Sequence, residues 1–147
     1  MLGIGLVGLG GIAKSHLTAL KIAEDEGFAR CVAAADLFED VRESHRKEWD
    51  IPAVYENHHK LLEDPNVDAV VAILILADEL GEMNLDFIVD QKKDHPDKPI
   101  YISFSGDEGS NSAAKAFLEP KGVPTFPRIE DPFKVLDILV RCRESLK

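Results

Sequence analysis

The sequence predicts an α/β protein, a doubly wound three-layer parallel sheet of about six strands, and three observations carry that prediction. Apolar runs of roughly four to eight residues alternate with stretches of helical periodicity, the pattern of successive βαβ units whose strands are covered on both faces. A glycine-rich turn, "GLVGLGGIAKSHLTAL" from Gly5 to Leu20, follows directly on the first apolar run and leads into a helix. The composition, 45% hydrophobic and 30% charged over 147 residues, is that of a globular chain able to bury one core without disulfides or metal.

Taken in order, the strands are expected at Leu2 to Val7, Cys31 to Ala35, Ala53 to Tyr55, Ala69 to Leu74, Ile100 to Phe104 and briefly near Thr125, with helices between them. Gly27 ends the first helix before the second strand, and Gly122 does the same before the last strand, where Pro120 distorts the final turn. The second helix, "FEDVRESHRKEWD", turns its acids to solvent, with Trp49 and Phe38 packing beneath it. His58 and His59 open the third helix ahead of "KLLEDP". The last helix has Asp131 as N-cap, Pro132 at its first position, an apolar stripe of Phe133, Leu136, Leu139 and Val140, and Lys147 as its basic end. With no repeats, low-complexity tracts or linkers, residues 1–147 read as one domain. Right-handed crossovers then give the strand order 3-2-1-4-5-6, with any ligand at the switch point between strands one and four.

Charge and cysteine usage narrow the partners. A formal net charge of -10 opposes docking on nucleic-acid phosphates or anionic lipid. The longest apolar run, Ala69 to Ala77, is too short to span a bilayer, and no charged segment followed by a cleavage site opens the chain. Cys31 and Cys142 lie in apolar runs and read as two buried thiols, which points to a reducing, cytoplasmic location.

Gly8, Gly10 and Ala13 form G-x-G-x-x-A between a strand and a helix, the context in which the pattern has a mechanism. Gly8 permits the tight turn, Gly10 lets backbone approach a pyrophosphate, and Ala13 lets the helix pack closely on the sheet. The free N–H groups and partial positive charge of the helix start then favour an anion. The competing reading is a glycine-rich turn that binds nothing. Asp36 ends the second apolar run, where an acid accepts hydrogen bonds from an adenosine ribose and repels a 2'-phosphate, favouring NAD over NADP. It could equally be a loop acid or the cap of the next helix.

Little else reads as reactive. His16 is read as a packing or capping residue one turn beyond the glycine loop, and His58 and His59, adjacent on a helix, point in different directions with no third metal ligand at suitable spacing. Ser103, Ser105, Ser110 and Ser112 surround Gly106 and Gly109, but Asp107 and Glu108 would repel a phosphate there, so the segment reads as a helix entry. Asp78, Glu79, Asp107 and Glu108 form an acidic rim at the carboxyl edge that weakens any dinucleotide binding. No G-x-S-x-G elbow, H-E-x-x-H or P-loop is present.

From Leu2 to about Val71, "IGLVGLGGIAKSHLTAL", "CVAAADL" and "YENHHKLLEDPNVDAVV" resemble the dinucleotide-binding domain of the glucose-fructose oxidoreductase and inositol dehydrogenase family (Gfo/Idh/MocA). The resemblance implies NAD(P) over Gly8, Gly10, Gly11, Ile12 and Ala13, with Asp36 at the ribose. The family's Thr-Pro after the fourth strand and Glu-Lys-Pro after the fifth, whose lysine is catalytic, are replaced here by "AILILADELGEMN" and "KPIYISFSGDEGSN". The family's second, substrate-holding domain has no counterpart in the sequence. From about Asp68 onward the chain resembles instead the flavodoxin-like, succinyl-CoA-ligase-type domain of ADP-forming acyl-CoA synthetases, and no catalytic residue carries over from it. "LLEDPNVDAVV", Leu61 to Val71, suits both families. The expectation is therefore an engineered chimera, a Rossmann-like first half fused near residues 61–71 to a flavodoxin-like second half. It would have no enzymatic activity and would retain weak NAD binding at most. The alternative is a natural single-domain protein that binds NAD or CoA, with Lys14 the one basic residue near the loop for a CoA 3'-phosphate.

Overall fold

The computed structural model describes residues 1–76, 85–128 and 130–145. Six strands, β1 (Leu2–Val7), β2 (Ala29–Ala35), β3 (Ala53–Tyr55), β4 (Ala69–Leu76), β5 (Ile100–Gly106) and β6 (Thr125–Phe126), form one parallel sheet in the order β3-β2-β1-β4-β5-β6. That is the doubly wound order the sequence predicts. β2 starts earlier than expected because Gly27, at φ +83°, turns the chain so sharply that Leu2 N–H already bonds to Phe28 O at 2.8 Å. β4 and β5 run on together beyond Leu74 and Phe104, paired through Leu76 and Gly106.

The helices are α1 (Ala13–Asp25), α2 (Glu39–Trp49), α3 (His58–Glu63), α4 (Asp86–Asp94), α5 (Glu108–Leu118) and α6 (Asp131–Ser145). Strand side chains alternate between two cores, as the pleat requires. Ala34, Val71 and Tyr101 face α1 and α6, against Leu17, Leu20, Phe133 and Leu136. Ala35, Ala72 and Ile102 face the opposite layer, against Leu61, Ile88 and Leu118. Burial on both faces is what near-continuous apolar strands demand.

Close backbone approach fixes the centre of the sheet. Gly3 N–H donates to Asp68 Oδ2 at 2.7 Å and Asp68 N–H returns a bond to Gly3 O at 2.7 Å, while any Cβ at Gly3 would run into Asn66 O. Next to this clasp, Asp64 accepts from Tyr55 Oη at 3.0 Å, Asn66 N–H at 2.8 Å and Asn66 Nδ2 at 2.9 Å. Burial pushes its carboxyl up, but those bonds and the charge of Lys98 outweigh it and hold the group below the usual carboxylate range. Lys98 Nζ in turn donates to Leu62 O and Asp64 O.

Several side chains depart from expectation. Leu139 is 51% exposed: Phe133, Leu136 and Val140 share one helical face, and Leu139 falls outside that arc. Phe38 does not pack under α2 but precedes its first turn, exposed, while Trp49 does lie against the core. Cys142 is exposed on α6 rather than buried, and Cys31 is half-buried with its thiol pushed up to about 12 by burial. Asp131 is the first residue of α6 rather than its cap, its own N–H bonded to Arg128 O. Lys147, Asp78 and Glu79 lie outside the described residues.

Candidate dinucleotide site

The glycine turn sits at the carboxyl edge of β1, where the chain leaves the sheet for α1. Gly8 has φ +93°, a conformation that strains any residue with a Cβ, and its N–H bonds to Ala35 O at 2.9 Å. Leu9 is buried and anchors the loop to the core. Gly10 and Gly11 are exposed, and a Cβ added at either would meet nothing within 4 Å, so open ground lies in front of the helix start. Ile12 stands at the cap position before α1 and makes no side-chain cap hydrogen bond, and the first turn carries no acid that would compete for its N–H groups. Ala13 is fully buried, its N–H bonded to Gly10 O at 2.9 Å, and its small side chain lets α1 lie close on the sheet.

Asp36 stands beside this loop at the end of β2. Its Oδ2 accepts from Leu9 N–H at 2.8 Å and its Oδ1 from Phe38 N–H at 3.0 Å. One carboxylate thus ties the glycine loop to the β2–α2 turn, and each oxygen keeps a lone pair for a further donor. The loop-acid reading and the ligand reading of Asp36 are therefore compatible: the protein bonds that hold the group also aim it.

A cavity of about 470 Å³ opens next to Asp36 and runs under the sheet between α3 and α4. Its walls are hydrocarbon, including Leu62, Val70, Ala72, Ile100 and Ile102, and Glu56, Asn57, His58 and Gln91 supply polar atoms. Sequence reasoning missed this chamber, whose lining is drawn from β1, β2, β4, β5, α3 and α4 and shares no local signal. His58 and His59 differ from expectation as well. Asn57, the cap of α3, is extended, and the two rings that follow it meet with centroids 4.1 Å apart. Burial and then the His59 ring hold His58 below the usual imidazole range. Among the described residues no group of three or more His, Cys, Asp or Glu could hold a metal.

The remaining sequence candidates lie elsewhere. His16 is buried in α1 with its ring 6.1 Å from that of Phe133, and neither ring nitrogen has a hydrogen-bond partner. Burial lowers its pKa to about 4. Asp107 caps α5, accepting from Ser110 N–H at 2.9 Å, so the segment after β5 is a helix entry.

The family model described as oxidoreductase family (Gfo/Idh/MocA), NAD-binding Rossmann fold, matches residues 2–105. The chain belongs to that family. It is 38% identical over 68 residues to the myo-inositol 2-dehydrogenase of Thermotoga maritima, an alignment covering 46% of this chain and 20% of that protein. The NAD binding oxidoreductase of Klebsiella pneumoniae superposes with a TM-score of 0.58 at 21% identity, over 84% of this chain and 33% of the other. An Agrobacterium radiobacter oxidoreductase, solved with NAD+, L-tartaric acid and magnesium, gives 0.57 at 19% identity, over 84% and 34%. The chain thus spans about a third of the length of these solved relatives and a fifth of the curated one.

This membership overturns two expectations. The family match runs unbroken through residues 61–71, through β4 and into β5, so the reading of an engineered chimera joined in that stretch does not stand. The segment that suited two families carries the end of α3, the α3–β4 connection and the start of β4, all within the family match. The reading of a protein outside enzymology falls with it, because the family and the relatives named are oxidoreductases. The chain belongs to the family although Thr-Pro and Glu-Lys-Pro are replaced in it. Among the described residues no helix is long and apolar enough to cross a membrane.

Proposed function

We propose that this chain is the nicotinamide-dinucleotide-binding unit of an NAD-linked dehydrogenase, with residues 1–147 folding as one cooperative α/β unit. The carrying observation is the pairing of open ground at Gly10 and Gly11 with a carboxylate fixed beside it by Leu9 N–H. On this reading the N–H groups of Gly10, Gly11 and Ile12 hold the pyrophosphate at the start of α1, while Gly8 makes the turn and Ala13 brings the helix down on the sheet. Asp36 accepts from the adenosine ribose. Asp36 and Glu56 both line the adjoining cavity, so two carboxylates oppose a 2'-phosphate there and NAD is taken in preference to NADP.

When bound, the nicotinamide supplies a two-electron hydride acceptor or donor. The chain's own contribution is to bind and orient: the glycine loop fixes the phosphates, Asp36 fixes the ribose, and the apolar cavity excludes water from the adenosine end. The family model that matches residues 2–105 describes an NAD-binding Rossmann fold, so the dinucleotide is what the likeness carries over. A thermal melt with about 1 mM NAD+, NADP+ or CoA tests the reading. A ligand at a hundred times its Kd stabilises by about 2.7 kcal/mol, several degrees at this size. One cooperative transition raised by NAD+ and not by CoA is expected, and a melt indifferent to NAD+ would sink the reading.

A further inference from the structure

The turn that carries Asp36 is not held by its apolar side chains. Leu37 is 80% exposed and Phe38 66%, so neither anchors the segment between β2 and α2 to a core. Polar bonds hold it instead. Asp36 N–H donates to Tyr55 O at 3.2 Å, and Asp36 Oδ1 accepts from Phe38 N–H. Arg42 closes the turn from α2: its Nη1 donates to Asp36 O at 2.8 Å and to Leu37 O at 3.1 Å, while its own N–H bonds to Phe38 O at 3.0 Å. A half-buried guanidinium thus gathers the carbonyls of two successive residues, and charge-assisted bonds from a planar donor fix direction as well as distance.

We propose that Arg42 is a positioning residue for the dinucleotide site: by clamping the Asp36 and Leu37 carbonyls it fixes the backbone from which the Asp36 carboxylate is aimed, and it acts on cofactor choice through that carboxylate without touching the cofactor. This rests on the NAD reading given above. Without the clamp, Asp36 Oδ2 keeps Leu9 N–H, but the peptide units after Asp36 are free to turn, and the Oδ1 bond to Phe38 N–H depends on them. A displaced carboxylate then loses both its bond to a ribose hydroxyl and part of its repulsion of a 2'-phosphate. A guanidinium at this rim has one other use, as a direct ligand of the 2'-phosphate, and the two uses predict opposite changes. Removing a phosphate ligand weakens NADP more than NAD, whereas removing a clamp on Asp36 weakens NAD more than NADP.

The test titrates NADH and NADPH by fluorescence into the wild type, Arg42→Met, Arg42→Lys, Asp36→Ser and the double variant Asp36→Ser with Arg42→Met, with a melt of each protein alone. Arg42→Met keeps the hydrocarbon stem and removes the donors; it should bind NADH about tenfold more weakly and NADPH to within about threefold of the wild type. Arg42→Lys, which keeps a charged donor, should recover most of the NADH affinity. With Asp36 already replaced by serine, Arg42→Met should change NADH binding by less than about twofold, because no carboxylate is left to position. A general loss of stability would weaken both nucleotides alike and would not vanish in the Asp36→Ser background. Unchanged NADH binding in Arg42→Met, a greater loss for NADPH than for NADH, or a full loss in both backgrounds overturns the assignment and leaves the dinucleotide reading standing. Binding of neither nucleotide by the wild type overturns both.

Discussion

Replacing Gly10 with valine separates the fold's use of the glycine turn from the ligand's. A Cβ at Gly10 meets nothing within 4 Å, and the residue has no positive φ to strain. The unliganded protein should therefore keep its stability to within about 0.5 kcal/mol. With ligand the outcome differs, because the isopropyl group occupies the ground in front of α1 where a pyrophosphate would meet the N–H groups of Gly11 and Ile12. Losing two hydrogen bonds to a charged group, at about 1.5–3 kcal/mol each, weakens binding by 3 kcal/mol or more, about 100-fold in Kd. NADH fluorescence titration reads the affinity, and a melt of each protein alone reads the fold. If Gly10→Val binds NADH to within about threefold of the wild type, the helix start does not hold the pyrophosphate. Gly8→Ala is the converse control: at φ +93° it should lose about 1–2 kcal/mol of stability with no ligand present.

Three further outcomes follow from the buried and charged groups. His16 has its pKa lowered from 6.5 to about 4, so the unfolded chain takes up the proton first; stability is full above pH 6.5 and falls by about 3 kcal/mol as the pH drops toward 4. Urea melts at several pH values should show that loss, and His16→Leu should flatten it; an equal slope in the variant would remove His16 as the cause. Asp64→Ala leaves Tyr55 Oη and Asn66 N–H without their acceptor and should cost about 2–3 kcal/mol, read from the denaturation midpoint. Asp36→Ser, which removes the carboxylate opposing a 2'-phosphate, should improve NADP binding relative to NAD by about tenfold, checked by parallel titrations; an unchanged ratio would assign the selectivity elsewhere.

The sheet order was legible because short connections between apolar runs leave few right-handed topologies, and the glycine turn because strand, turn and helix follow within a dozen or so residues. Legibility ended where residues distant in the chain converge. That an acid closes β2 is visible in "AAAD", but that its Oδ2 holds Leu9 N–H depends on the β1–β2 register. The cavity draws on β1, β2, β4, β5, α3 and α4. Leu139 and Cys142 misled because apolar type was read without the phase of α6. The chimera misled for another reason: "LLEDPNVDAVV" records the packing needs of an α3–β4 connection, which unrelated parallel sheets share.

The clasp between Gly3 and Asp68 bears on how the protein is made. β1 leaves the ribosome before β2 and β4, yet it lies inside the sheet, and its second edge stays bare until β4 has been synthesised. At about 5–20 residues per second that takes several seconds. For that time "LGIGLV", which carries no charge and no proline, presents an open β edge. Nascent chains and dilute refolding mixtures should therefore be most prone to aggregate before β4 docks, and a chaperone that shields the first strand would act in that interval.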